Sequence, residues 1–202
     1  MLIGERDPPR ARAVDAPGGL PASDCDVDLV VAALADRRCF WLLYDRYLDR
    51  LYGYARSRLG SAADADDVVA DTMLAAFEHL EHFDPARGAF STWIFTIARR
   101  KVIDHGRYHR RLRRLAARQQ ALAAPVSEDD SYECVARNEQ DEAVRRTVRR
   151  LPPADRDVVA LRYSAELSTD EIARVLDVSP AAARQRLTRA RQRLKQMLEA
   201  DL

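Results

Sequence analysis

The chain has 202 residues, 47% of them apolar and 32% charged, and its 33 Lys and Arg nearly cancel its 32 Asp and Glu to leave a net charge of +1. That length supports one or two cored domains. No run approaches the ~20 apolar residues of a membrane span, and Cys25, Cys39 and Cys134 are too few and too irregularly spaced for a disulfide framework or a cysteine zinc site.

Residues 1–25 have no periodicity and are expected to form a disordered tail. No apolar signal core follows Met1, so a cytoplasmic location is expected. Val27, Leu29, Val30, Ala33 and Leu34 then mark a short amphipathic helix. A longer helix follows from about 38 to 59, with Phe40, Leu43, Tyr47, Leu51 and Tyr54 along one side. A third, about 63 to 80, opens with Asp64, Asp66 and Asp67, which favour the positive end of the helix dipole, and buries Val68, Met73, Leu74 and Phe77. The Pro- and Gly-containing stretch 83–90 reads as a loop, and Ser91 is positioned to cap a fourth helix that runs through Trp93, Ile94, Ile97 and Ala98 into an Arg-rich tract.

Charge is strongly segregated from here on: residues 99–118 carry nine basic side chains and one acidic, and residues 119–142 carry one basic and seven acidic. Residues 115–132 lose their pattern and are read as an interdomain linker. A second helical unit, 133–202, contains a helix from 133 to about 149, a break at Leu151, Pro152 and Pro153, and a helix from about 154 to 163.

Its end is the most informative part of the chain. Ser168 or Thr169 caps one helix with Ile172, Ala173, Val175 and Leu176 at helical spacing, Asp177 and Val178 form a turn, and Ser179 caps a second helix with Pro180 at its first position. That second helix carries six cations and no acid between Ser179 and Lys195. With Ala183, Leu187, Ala190 and Leu194 inward, Arg184, Gln185, Thr188 and Arg189 share an outward face able to read base edges in a major groove. Arg186 and Arg191, with Arg193 and Lys195, remain for phosphates. This is the footprint of a DNA-binding helix-turn-helix, and the separate basic tract at 99–118 points to a second nucleic-acid contact. His105 and His109 stand four apart within that tract without a third ligand, and read as polar surface or phosphate contacts, so no metal site or cofactor is expected. No Gly-rich phosphate loop, activated nucleophile or convergent carboxylate set is present, so no catalytic residue is assigned and an enzyme is not expected.

Three segments in order, 64–73, 83–105 and 151–163 ahead of the helix-turn-helix, resemble bacterial sigma factors of RNA polymerase, of the extracytoplasmic-function (ECF) group. The resemblance implies an all-α fold of two helical domains joined by a flexible linker: a region 2 domain at 26–114 for core polymerase and the minus-10 promoter element, and a region 4 domain at 133–202 for the minus-35 element. It implies that Asp67 and Asp71, four apart on one helix face, meet the clamp helices of the polymerase beta-prime subunit, with the beta flap as a second docking point. The loop from Phe83 through Arg87 to Phe90, followed by Trp93, corresponds to the element that receives a base flipped from the melted strand. Arg99, Arg100, Lys101 and Arg107 correspond to contacts with the phosphates of the opened DNA. Ala70, Asp71 and Arg100 stand where the family usually has Gln, Glu and Asn. Promoter DNA, core polymerase and an anti-sigma factor are the expected partners, without membrane insertion. The alternative is a stand-alone helix-turn-helix regulator, which has no use for the Asp67/Asp71 face or the second basic tract.

Overall fold

The structure is a computed structural model that describes residues 25–59, 61–120 and 146–200. Among these the regular structure is helical. Helices α1 (Asp26–Ala35), α2 (Phe40–Leu59), α3 (Ala62–Glu78) and α4 (Phe90–Gln120) form the first half, and α5 (Pro153–Tyr163), α6 (Thr169–Leu176) and α7 (Pro180–Ala200) the second. Residues 146–150 are also helical; the rest of the helix expected from 133, the tail at 1–24 and the linker from 121 lie outside the described residues. No described helix is long and apolar enough to cross a membrane.

Local chemistry sets the boundaries. Asp36 accepts from the Arg38 amide at 3.0 Å and splits the expected helix start into a 3-10 turn, Arg37–Cys39, before α2. Ser61 caps α3 by accepting from the Asp64 amide at 3.3 Å. Two further 3-10 turns, Leu80–His82 and Pro85–Arg87, build the loop to α4, the second capped by Asp84 at 2.9 Å from the Ala86 amide. Ser91 is not the cap of α4. The helix already begins at Phe90, and the Ser91 hydroxyl donates across the molecule to the Glu171 carboxylate. At its other end α4 keeps helical geometry to Gln120, past the point where the sequence pattern fades.

The first half packs around Leu43, Tyr47, Leu51, Tyr54, Ala65, Phe90, Ile94 and Phe95, each at most 1% exposed. Its aromatic rings meet edge to face: Tyr47 on Phe90 at 5.3 Å, Tyr54 on Phe95 at 5.8 Å. Leu151, Val158, Leu161, Leu167 and Ile172 are equally buried in the second half. These are not two separate cores. The α4–α6 and α2–α5 contacts join them into one apolar cluster, so the halves lie directly against each other.

Polar groups fasten that junction. Asp157, on α5 and 5% exposed, accepts from the Tyr54 hydroxyl at 2.9 Å and from Arg99 Nε at 2.9 Å, with Arg58 Nε 3.2 Å away. Burial, reinforced by the neighbouring carboxylate, pushes the Tyr54 phenol well above its ordinary range and keeps it a neutral donor. Arg50 Nε donates to the Ala165 carbonyl at 3.0 Å, and the Ser57 and Ser164 hydroxyls lie 3.1 Å apart. Gly53 makes the close approach feasible, since a Cβ there would already touch Ser164 Cβ at 3.4 Å.

Candidate nucleic-acid interface

The helix-turn-helix is held by three local devices. Ser168 and Glu171 form a reciprocal capping box: the Glu171 amide donates to Ser168 Oγ at 3.2 Å and the Ser168 amide to Glu171 Oε2 at 2.8 Å. Asp177 ends α6 in the left-handed conformation, φ 54°, and the Val178 amide closes back onto the Ala173 carbonyl at 2.9 Å. Ser179 caps α7 through the Ala182 amide at 3.2 Å.

The turn seats α7 with Ala183 and Ala190 buried and Leu187 and Leu194 half-buried against the core. Arg184, Gln185, Thr188, Arg189 and Arg191 are consequently exposed, while Arg186 lies half-buried on the flank. Thr188 donates to the Arg184 carbonyl at 3.0 Å, leaving its oxygen free to accept. Arg193 is tied to Asp155 on α5, and Lys195 sits 3.6 Å from Glu199. The cationic face is therefore the N-terminal two-thirds of the helix.

On the first half, Asp67 and Asp71 are both exposed on α3. Asp71 lies 3.5 Å from Lys101 Nζ across an open groove of ≈ 580 Å³ between α3 and α4, lined also by Val68, Ile97, Arg100 and Tyr108. Arg87, Arg100 and Arg107 project to solvent, with Arg107 3.5 Å from Asp104. Arg99 differs: it turns inward to Asp157, because a buried carboxylate in the other half outcompetes solvent for it.

Residues 83–90 and the start of α4 enclose a second cavity of ≈ 300 Å³, lined by Phe83, Arg87, Gly88, Thr92, Trp93 and Arg100. Phe83 and Phe90 are 8% and 1% exposed and pack on each other at 5.4 Å as core aromatics. Trp93 is half-buried and leans on both, at 5.8 and 5.4 Å. The Thr92 hydroxyl is buried on this wall with no hydrogen-bond partner. A site with an aromatic wall and a cation can hold a planar polar group such as an unstacked base. Gly88 shapes the rim at φ 151°, ψ 178°, where a side chain is strained by about 1–3 kcal/mol. Gly88→Ala should therefore distort this rim and lower single-strand binding while leaving duplex binding by α7 unchanged; equal loss of both in gel-shift titrations would contradict it.

Comparison with known proteins decides the family. Residues 43–112 match the model for sigma-70 region 2 and residues 141–194 that for sigma-70 region 4. The RNA polymerase sigma factor CnrH of Cupriavidus metallidurans is 34% identical over 185 residues, 87% of this chain and 96% of that protein. The ECF RNA polymerase sigma factor BldN of Streptomyces coelicolor is 33% identical over 186 residues, 90% of this chain and 70% of that protein. The chain belongs to the ECF sigma factors of RNA polymerase. The structure of CnrH in complex with the cytosolic domain of CnrY covers 89% of this sigma factor and all of that chain, at 32% identity and a TM-score of 0.66. The fold is shared too with the sigma factor RpoE of Bartonella quintana, at 20% identity and a TM-score of 0.60. An ECF sigma factor acts in transcription initiation, so the helix-turn-helix is one part of a larger machine and the stand-alone regulator is not favoured.

Of the residues singled out in the sequence, Arg184, Gln185, Thr188 and Arg189 are exposed on α7 and Asp67 and Asp71 on α3. Sequence reasoning missed Asp157, Tyr54, Arg58 and Glu171 as a group, since their contacts join positions remote in the chain.

Proposed function

We propose that this sigma factor binds core polymerase through the Asp67/Asp71 face of α3, reads the minus-35 element with Arg184, Gln185, Thr188 and Arg189, and traps a minus-10 base in the cavity beside Trp93. Arg186 and Arg191 then hold the upstream phosphates, and Arg87, Arg100, Lys101 and Arg107 those of the opened strand. It has no catalytic role of its own and acts in the cytoplasm, where core polymerase is. The observation that carries this reading is that an exposed helix face with cations and no acid from Ser179 to Lys195 and an exposed acidic face lie on opposite halves of a single chain. A repressor needs only the first.

The packed arrangement supports a restrained state. Two elements ~25 base pairs apart are separated by about 85 Å of duplex, whereas a compact chain of this length, with a radius of gyration of about 17 Å, is only about 45 Å across. The halves must part for both elements to be engaged, which breaks the Asp157 contacts and frees Arg99 for DNA. CnrH was solved with the cytosolic domain of CnrY, and we infer an anti-sigma partner here as well. Because Tyr54 and Asp157 already touch, such a partner wraps the closed form from outside and does not insert between the halves of this arrangement.

The test is a core-binding titration. Asp67→Lys with Asp71→Lys should weaken association with core polymerase by about tenfold to a hundredfold through like-charge repulsion, with the helical circular dichroism unchanged. Undiminished affinity in that titration would remove these residues from the interface.

A further inference from the structure

His105 and His109 occupy successive turns of α4, and the structure brings a third donor to them from another helix. Asp64, in the first turn of α3, places Oδ1 3.6 Å from His105 Nε2. The two imidazole Nε2 atoms are 3.1 Å apart while the ring centres are 4.2 Å apart, so the rings converge towards their Nε2 ends. All three donor atoms lie within 4.8 Å of one another. Two nitrogens and an oxygen bound tetrahedrally to zinc at about 2.0–2.1 Å stand about 3.3 Å apart. Two of the three separations, 3.1 and 3.6 Å, straddle that value, and the third, between His109 and Asp64, is within 4.8 Å.

From this convergence we propose that Asp64, His105 and His109 form a binding site for a divalent transition-metal ion of the zinc class. Two imidazoles and one carboxylate are a donor set of borderline softness, suited to zinc, cobalt or nickel and not to calcium or magnesium. All three residues are partly buried, with the His105 side chain 18% and the Asp64 side chain 32% exposed. The ligands are thus shielded from bulk water yet open to it on one side, which leaves a fourth position for a water molecule. The groove between α3 and α4 supplies the route, since His105, Asp67 and Asp104 line it and its acids concentrate cations at the mouth.

A bound ion would pin the first turn of α3 to the middle of α4. Those two helices carry the acidic face and the basic tract, so the ion fixes their relative register. Asp67 sits one turn beyond Asp64 on the same helix. The sequence shows only the His pair, because the third ligand comes from a separate helix. The inference stands whether or not the promoter contacts above are assigned correctly, since its readout is metal binding alone.

The experiment uses the full-length chain without an affinity tag, stripped of metal and titrated with cobalt(II). The expected result is one equivalent bound with visible d–d absorption of tetrahedral intensity, displaced by zinc. Asp64→Asn, His109→Ala and His109→Gln should each weaken binding at least tenfold. Zinc at a hundredfold excess over its dissociation constant should raise the Tm of the parent protein by about 5–10 °C and, at the same concentration, that of the His109 variants by no more than about half as much. Absence of cobalt absorption, equal binding by the variants, or a thiolate charge-transfer band placing the ion on cysteine would each overturn the site.

Discussion

Asp157→Ala should separate the two halves of the molecule and lower its unfolding free energy by about 3 kcal/mol, the low end of what removing one partner of a buried charge cluster costs. Asp157 is 5% exposed and faces Arg58, Arg99 and the Tyr54 hydroxyl together. Its removal leaves the Arg58 guanidinium, 11% exposed, without its anion and with the Pro153 carbonyl at 3.2 Å as a remaining partner, whereas Arg99, at 31%, regains water. The difference in exposure sets the estimate at the low end of the range. Urea unfolding measures the stability, and small-angle scattering measures the separation as an increased radius of gyration. A change that removes no charge gives an independent check. Gly53→Leu drives a side chain into Ser164 and should open the junction with α2 itself left helical. If both variants scatter like the parent, the packed arrangement does not persist in solution.

Acid should loosen the same junction through Glu171. Burial raises its carboxyl pKa, but the hydrogen bonds from Ser91 and Ser168 outweigh burial and hold it below its ordinary range. A depressed folded-state pKa contributes stability that is present above the unfolded value and lost as the pH falls through the folded one. Below about pH 4.5 the Ser91–Glu171 link between α4 and α6 should therefore weaken.

How much of this was legible in the chain follows from the range of the interactions. The helix-turn-helix was readable almost to the residue, because its capping box, its left-handed Asp177 and its Ser179 cap each involve neighbours within a few positions. The inward stripe of α2, from Phe40 to Tyr54, was readable for the same reason: period and burial coincide. Ser91 misled because its type and place fit a cap, yet its partner is Glu171 in the other half. Arg99 looked like any member of the Arg-rich tract until the fold brought Asp157 to it. Phe83 and Phe90 read as loop aromatics poised for a base, and prove to be the core under the cavity whose wall Trp93 and Thr92 complete. Asp64 reads as a helix-start acid until α4 is laid beside it. In each case the residue type was informative and the partner was not, since burial against a remote element leaves no periodic trace.

Arg184→Ala should change which base is preferred upstream by about five- to a hundred-and-fiftyfold, the equivalent of 1–3 kcal/mol at a bidentate contact to guanine. Arg184 lies one turn past the Ser179 cap, fully outward, and its backbone carbonyl holds Thr188, so the two side chains rise from one stretch of the exposed face. Arg191 lies further along the helix, beyond the buried Ala190, and is also exposed. As a phosphate contact, it carries no sequence information. Arg191→Ala should weaken binding to every promoter alike and reduce the slope of log affinity against log salt by about one. Measuring both variants against a panel of single-base promoter changes at several salt concentrations separates a reader from an anchor. Should Arg184→Ala lower affinity uniformly and Arg191→Ala alter base preference, the helix enters the groove by its later turns, and the reading face must be rotated towards the C-terminal end of α7.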